Sequence, residues 1–261
     1  MLLAAAWWSR AAAGAAPALP LGLATAADIS SSLSRGAAWI WPGSNGPLVG
    51  TQAAAPYREA AVLVESMLIR QGHIERSART RPYRLPAGAR LLPVLHVEAA
   101  GDAPDALTPA QQQTIVAAAL RLTAESAGSG WLQLDFEAPA RQRQAYAQLV
   151  AALRAALPPQ VRLSVTALAH WCTQGDWLDR LAADEVVPML YRLGRQAERW
   201  RERFVDPAAA GLARRCRGPA MGFATNDPPP VALLHRVARP YWFDESAWSN
   251  PSHPPPALLQ P

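Results

Sequence analysis

Trp131-Leu132-Gln133-Leu134-Asp135-Phe136-Glu137 is the stretch on which the reading of this chain turns. It has the length and apolar content of a buried strand, and it ends in acids. Side chains alternate along a strand, so Leu132, Leu134 and Phe136 share one face while Gln133, Asp135 and Glu137 share the other. Carboxylates on one face of a core strand are costly to bury unless they are paired or used in chemistry. Two such groups side by side are also the minimum equipment for acid/base cleavage of a glycosidic bond.

Outward from this strand, short apolar runs alternate with amphipathic stretches. Strands are predicted over 37–41, 60–69, 91–97, 131–137, 162–168, 185–190, 220–224 and 237–243, with a hairpin turn at 70–73 leading into an extra strand over 74–81. Thr108-Pro109-Ala110-Gln111 has the form of a capping box opening a helix to about residue 127. Further helices are expected over 139–157, from Asp176, over 195–204, and over 207–215 with Asp206 as N-cap. Eight strands joined mostly by helices predict an α/β fold, a closed (β/α)8 barrel of TIM type, over 36–245. An open doubly wound sheet is the alternative. The absence of a GxGxxG or Walker loop weakens its nucleotide-binding version.

The bulk properties agree with one globular domain. The chain has 261 residues, half of them apolar, which is enough for a substantial core. Its formal charge is +5, and all 25 basic residues are Arg. These arginines are scattered among acids without a nucleic-acid motif, so no nucleic-acid partner is expected. Residues 1–27 are Ala-rich and apolar, ending in Ala24-Thr25-Ala26-Ala27, and read as a signal peptide for a periplasmic or secreted protein. No uninterrupted run predicts a stable membrane span. Residues 246–261, rich in Pro, read as a mobile tail. Cys172 and Cys216 are open to two readings, one disulfide or two free thiols.

Catalytic groups of a β/α barrel lie at the carboxyl ends of its strands, and the unusual residues of this chain fall there repeatedly. Trp39 and Trp41 end the first strand, Glu65 lies in the second, and His96 and Glu98 end the third. Asp135 and Glu137 end the fourth, His170 follows the fifth, and Tyr191 and Arg192 end the sixth. Asn226 follows the seventh, and Trp242 and Asp244 close the eighth. Acids, histidines and tryptophans on one face suit a polysaccharide or oligosaccharide, since aromatic faces stack on sugar rings while carboxylates bond hydroxyls. Each has a plainer reading as well: the tryptophans as barrel plugs, the histidines as hydrogen-bonded structural residues, and Glu65 and Glu98 as partners for arginines of the 70–90 stretch. No HxxxH or HxH spacing points to a metal, no GxSxG elbow to a serine hydrolase, and no cofactor is called for.

The segments Leu132-Gln133-Leu134-Asp135-Phe136-Glu137-Ala138-Pro139, Leu163-Ser164-Val165-Thr166-Ala167-Leu168 and Val187-Pro188-Met189-Leu190-Tyr191-Arg192 resemble a bacterial family, the domain of unknown function 3142. More distantly they are similar to the chitinase-like glycoside hydrolases of family 18, which are β/α barrels with a D-x-D-x-E motif on strand four and an M-x-Y-D motif on strand six. That resemblance implies Glu137 as general acid, Asp135 as the carboxylate that positions substrate and tunes Glu137, Tyr191 as hydrogen-bond donor and Trp242 as sugar platform. The chain departs from the pattern twice. Gln133 stands in place of the first Asp, and Arg192 in place of the Asp after the tyrosine. The first removes a charge that would share a proton with Asp135; the second adds one that favours ionised carboxylates. A barrel that keeps the cleft but has lost hydrolysis is therefore the alternative to an enzyme.

Overall fold

In the computed structural model, described over residues 22–41, 57–78, 85, 88–125, 129–208 and 210–243, the decisive stretch forms a strand with the expected two faces. The strands in chain order are β1 (Ala37–Ile40), β2 (Glu59–Arg70), β3 (His73–Ala78), β4 (Arg90–Ala99), β5 (Trp131–Phe136), β6 (Arg162–Leu168), β7 (Glu185–Met189), β8 (Ala220–Ala224) and β9 (Arg239–Phe243). All but β3 pair in parallel, in the order β1-β9-β8-β7-β6-β5-β4-β2, and β1 pairs with β2 to close the ring. The result is a closed eight-stranded parallel barrel. β3 folds back antiparallel on β2 through the hairpin turn that carries Gly72 at φ 83°, a left-handed conformation that glycine adopts without strain.

The helices are α1 (Ala26–Leu33), α2 (Pro109–Glu125), α3 (Arg143–Ala156), α4 (Ala197–Val205) and α5 (Val231–Arg236). The capping box before α2 is formed as its residues dictate: the Thr108 amide donates to Gln111 Oε1 at 2.9 Å, and the Gln111 amide donates to Thr108 Oγ1 at 3.2 Å. α1 carries a second capping box between Thr25 and Asp28. The Ala24 amide bonds the Pro229 carbonyl at 2.8 Å and the Val231 amide bonds the Gly22 carbonyl at 2.9 Å, so residues 22–24, near the end of the expected leader, are tied to the start of α5. Among the described residues the expected helix over 207–215 does not form. Asp206 instead ends α4, its amide bonding the Glu202 carbonyl, and only a 3-10 turn at Arg214–Arg217 precedes β8. Residues 1–21, Asp244 and the tail 246–261 lie outside the described residues.

Cys172, in a 3-10 turn after β6, is bonded to Cys216 in the turn before β8, which decides between the two readings of these cysteines. The link joins chain positions 44 residues apart beside β7.

Two apolar clusters build the domain. The outer one fills the space between the strands and the helices, and takes Leu132, Leu134 and Phe136 from β5 and Tyr146, Leu149 and Leu153 from α3. The inner one, with Trp39, Val94, Val187, Met189, Tyr241 and Phe243, fills the barrel axis. Trp39 occupies this space because Gly222 faces it across the barrel; a β-carbon at 222 would fall on the Trp39 ring. Polar layers lie above and below this apolar plug. Starts of strands supply Glu59, Arg90, Arg162, Glu185 and Arg239 to the floor, and ends supply His96, Asp135 and Thr166 to the mouth.

Candidate active site

Parallel register places His96 on β4 opposite Asp135 on β5, both turned toward the axis. His96 Nδ1 lies 2.9 Å from Asp135 Oδ2, and Thr166 Oγ1 on β6 donates to Asp135 Oδ1 at 2.6 Å. Asp135 is 4 % exposed. Burial by itself would raise its pKa, but the hydrogen bond and charge of His96, with the Thr166 bond, hold it below the usual carboxylate range. His96 shows the reciprocal behaviour: burial disfavours its charge, and the Asp135 bond and charge outweigh that and raise it. The two shifts are reciprocal: Asp135 favours the charged form of His96, and His96 favours the charged form of Asp135.

Glu137 stands two residues beyond Asp135 on the same face, just past the end of β5. It is half-buried, and among the described residues nothing hydrogen-bonds its carboxyl. Burial, then the Asp135 charge, push its pKa up to about 7; His96 opposes this, Glu98 adds to it and Arg192 opposes it. Glu98 follows His96 by two residues, as Glu137 follows Asp135. The expected arginine partner for Glu98 is not there among the described residues, and its charge instead acts on His96 and Glu137. The end of β5 thus holds one committed carboxylate and one neutralisable acid, the separation of roles that general acid catalysis needs.

Tyr191 follows β7 and is half-buried over the apolar plug. Its ring stacks on Phe243 with centroids 5.6 Å apart and meets Trp39 edge-on at 6.1 Å, and its hydroxyl lies 3.2 Å from Met189 Sδ. Trp41 meets Phe243 edge-on at 5.8 Å. Trp41, Tyr191 and Phe243 make an aromatic wall at the carboxyl end of the barrel. Arg192 sits at φ 53°, a strained conformation for a residue with a β-carbon, next in chain to Tyr191 and within electrostatic reach of Glu137.

Other nominated residues are placed elsewhere. Trp242 is fully buried on the outer face of β9, donates from Nε1 to Ser32 Oγ of α1 at 2.9 Å and packs on Phe223. It cannot stack on a sugar, because strand alternation turns Tyr241 and Phe243 inward and Trp242 outward. Trp39 and Gln133 are also sealed: Trp39 Nε1 donates to Gln133 Oε1 at 2.7 Å, and Gln133 Nε2 donates to Ser164 Oγ at 3.1 Å. Both hold the barrel interior beneath the mouth.

Glu65 faces outward, where Arg76 of β3 and Arg121 of α2 pair with it. A bulge between Leu63 and Glu65 inserts one residue into β2 and turns Glu65 outward, leaving Ser66 paired with His96. His170 is exposed on the turn after β6, edge-on to Trp171, and burial and the Arg143 charge lower its pKa. Asn226 is exposed in the turn after β8.

Sequence reasoning passed over Thr166 and Phe243. Phe243 was legible in principle, two residues after Tyr241 on one strand face; Thr166 was not, since only the β5–β6 register brings it to Asp135.

The sequence matches no family model, and no curated protein is similar to it. Among solved structures, a fungal endo-β-N-acetylglucosaminidase of glycosyl hydrolase family 18 covers 80 % of this chain and 89 % of its own, with 15 % identity and a TM-score of 0.49. A putative chitinase A from Streptomyces coelicolor covers 83 % and 97 %, with 13 % identity and a TM-score of 0.47. The Bacillus cereus spore cortex-lytic enzyme SleL covers 78 % of this chain and 57 % of its own, with 14 % identity and a TM-score of 0.45.

Proposed function

We propose that this barrel is an exported glycoside-hydrolase-like protein acting on a polysaccharide at the carboxyl-end mouth, with Glu137 as general acid. The observation that carries the reading is the pairing of roles on one strand face: Asp135 held charged by His96 and Thr166, and Glu137 beside it with a pKa of about 7. At neutral pH and below, Glu137 keeps a proton to give to the leaving glycosidic oxygen. Asp135 offers a fixed negative charge to the positive charge developing at the anomeric carbon. Trp41 and Tyr191, backed by the buried Phe243, supply aromatic surface for a sugar ring, and Tyr191 a hydroxyl for its substituents. The bonded Cys172–Cys216 pair supports an oxidising compartment, periplasmic or secreted. Among the described residues no helix is long and apolar enough to cross a membrane.

A second reading has its own observation. Gln133 is bound to Trp39 and Ser164, and both oxygens of Asp135 are held by His96 and Thr166. A carboxylate so restrained does not swing toward Glu137, which favours a polysaccharide-binding or envelope-assembly barrel without turnover. Release of new reducing ends from chitin-like and bacterial polysaccharides, wild type against Glu137→Gln, separates the two. Release that disappears in the variant establishes the enzyme. Binding without release, weakened by Trp41→Ala, establishes the second reading.

A further inference from the structure

We propose that the floor of the barrel, at the opposite end from Glu137, is a binding site for a multivalent oxyanion. A cavity of about 770 Å³ opens there, and seven arginines and three carboxylates line it, together with Trp131. The three carboxylates are already committed. Glu59 pairs with Arg90 at 3.0 Å and with Arg239, and Glu185 pairs with Arg239 at 3.1 Å. Glu185 also accepts from Ser164 Oγ at 2.9 Å and Tyr241 OH at 2.8 Å. Asp184 accepts from the Leu163 amide at 2.7 Å and pairs at 3.0 Å with Arg154, which is outside the cavity lining.

The arginines are not matched in the same way. Arg35 and Arg215 are anchored to backbone carbonyls, which fixes their positions but leaves their charge uncancelled. Among the described residues, Arg58 and Arg214 have no side-chain partner, and Arg162 has only the Trp131 ring, 5.4 Å from its guanidinium. All three are exposed at the cavity. A concave surface with this excess of positive charge focuses field lines and collects anions. Guanidinium forks match phosphate and carboxylate oxygens two at a time. The committed pairs beneath hold the floor rigid, so an entering anion meets donors already in place.

The test uses the whole chain with tripolyphosphate and citrate as probes, by calorimetric titration and thermal midpoint at low and high salt. Binding of either probe, with a raised midpoint and loss at high salt, is expected; the tighter of the two identifies phosphate or carboxylate as the preferred group. The variant Arg58→Gln/Arg162→Gln/Arg214→Gln is expected to weaken binding roughly 100-fold, as loss of three charge-assisted contacts implies. Its midpoint without anion should stay near wild type, because these side chains hold no buried acid. Arg199→Gln, an exposed change on α4, and Glu137→Gln, at the other end of the barrel, should bind like wild type. Failure of the wild type to bind either probe, or equal binding by the triple variant, would overturn the proposal. Both results are independent of whether Glu137 supports hydrolysis.

Discussion

At the floor of the barrel Glu59 and Glu185 are shut away from water but share Arg239, with Arg90, Ser164 and Tyr241 completing their hydrogen bonds. At the mouth Asp135 is at least as buried and is completed in the same manner by His96 and Thr166. Glu137, one pleat further on beside that charge, has no hydrogen-bonded partner among the described residues. The same side-chain chemistry thus stiffens one end and primes the other. What differs is whether each carboxylate meets a cation in register: Glu59 and Glu185 do, whereas Glu137, next to a negative charge, has its pKa pushed up to about 7.

The strongest way to break this contrast is Glu137→Gln. It should cut turnover by about 100- to 10,000-fold while the fold survives, measured as reducing-end release with a circular dichroism control. At the floor the corresponding change, Arg239→Met, should spare any chemistry at the mouth but leave Glu59 and Glu185 short of a partner. A loss of about 3–5 kcal/mol in urea unfolding is expected for a buried charge so abandoned, with Arg90 moderating it. A loss under 1 kcal/mol would mean that water, not Arg239, satisfies these acids.

The disulfide sharpens the comparison from outside the barrel. Cys172→Ala/Cys216→Ala should lower stability by about 2–4 kcal/mol in the chain-entropy account of a loop this long, without altering either end. Glu137 should also show in the pH dependence of stability. Its folded pKa lies above the unfolded value, so its contribution is fully present below pH 4.5 and fades as pH rises through about 7. Glu137→Gln should remove this slope and gain roughly 1–3 kcal/mol over wild type at pH 8. Turnover by the wild type should fall over the same interval as the acid loses its proton. The smallest effect belongs to Trp242→Phe, which gives up the Ser32 bond for about 1 kcal/mol of stability and leaves sugar binding unchanged. Weakened sugar binding in that variant would return Trp242 to the mouth.

Much of this was legible from residues alone. The period-two pattern over 131–137 predicted which side chains of β5 face the axis, and the recurrence of strands and helices predicted the barrel. Thr108 and Gln111 announced the start of α2. Local chemistry was misleading where it stood without its neighbours: Asp206 is a good N-cap residue, yet the chain after it stays out of helix and the aspartate closes α4 instead.

Position in a strand nominated Glu65, Trp39 and Trp242, and a shared strand face nominated Gln133, along with Asp135 and Glu137, because neither reveals a bulge or a facing void. One inserted residue in β2 reverses the face of Glu65, and one missing β-carbon at Gly222 opens room for Trp39.

The sequence by itself therefore determined the strand pattern, the fold class and the acidic face of β5, since pleating and periodicity are properties of neighbouring residues in one segment. Only the tertiary structure decided that His96 and Thr166 grip Asp135, that burial and the Asp135 charge push the Glu137 pKa up, that Cys172 meets Cys216 and that arginines from distant segments gather at the floor. Those outcomes depend on register between strands and on charges brought together through space, and a pairwise energy has no value until both partners are in place.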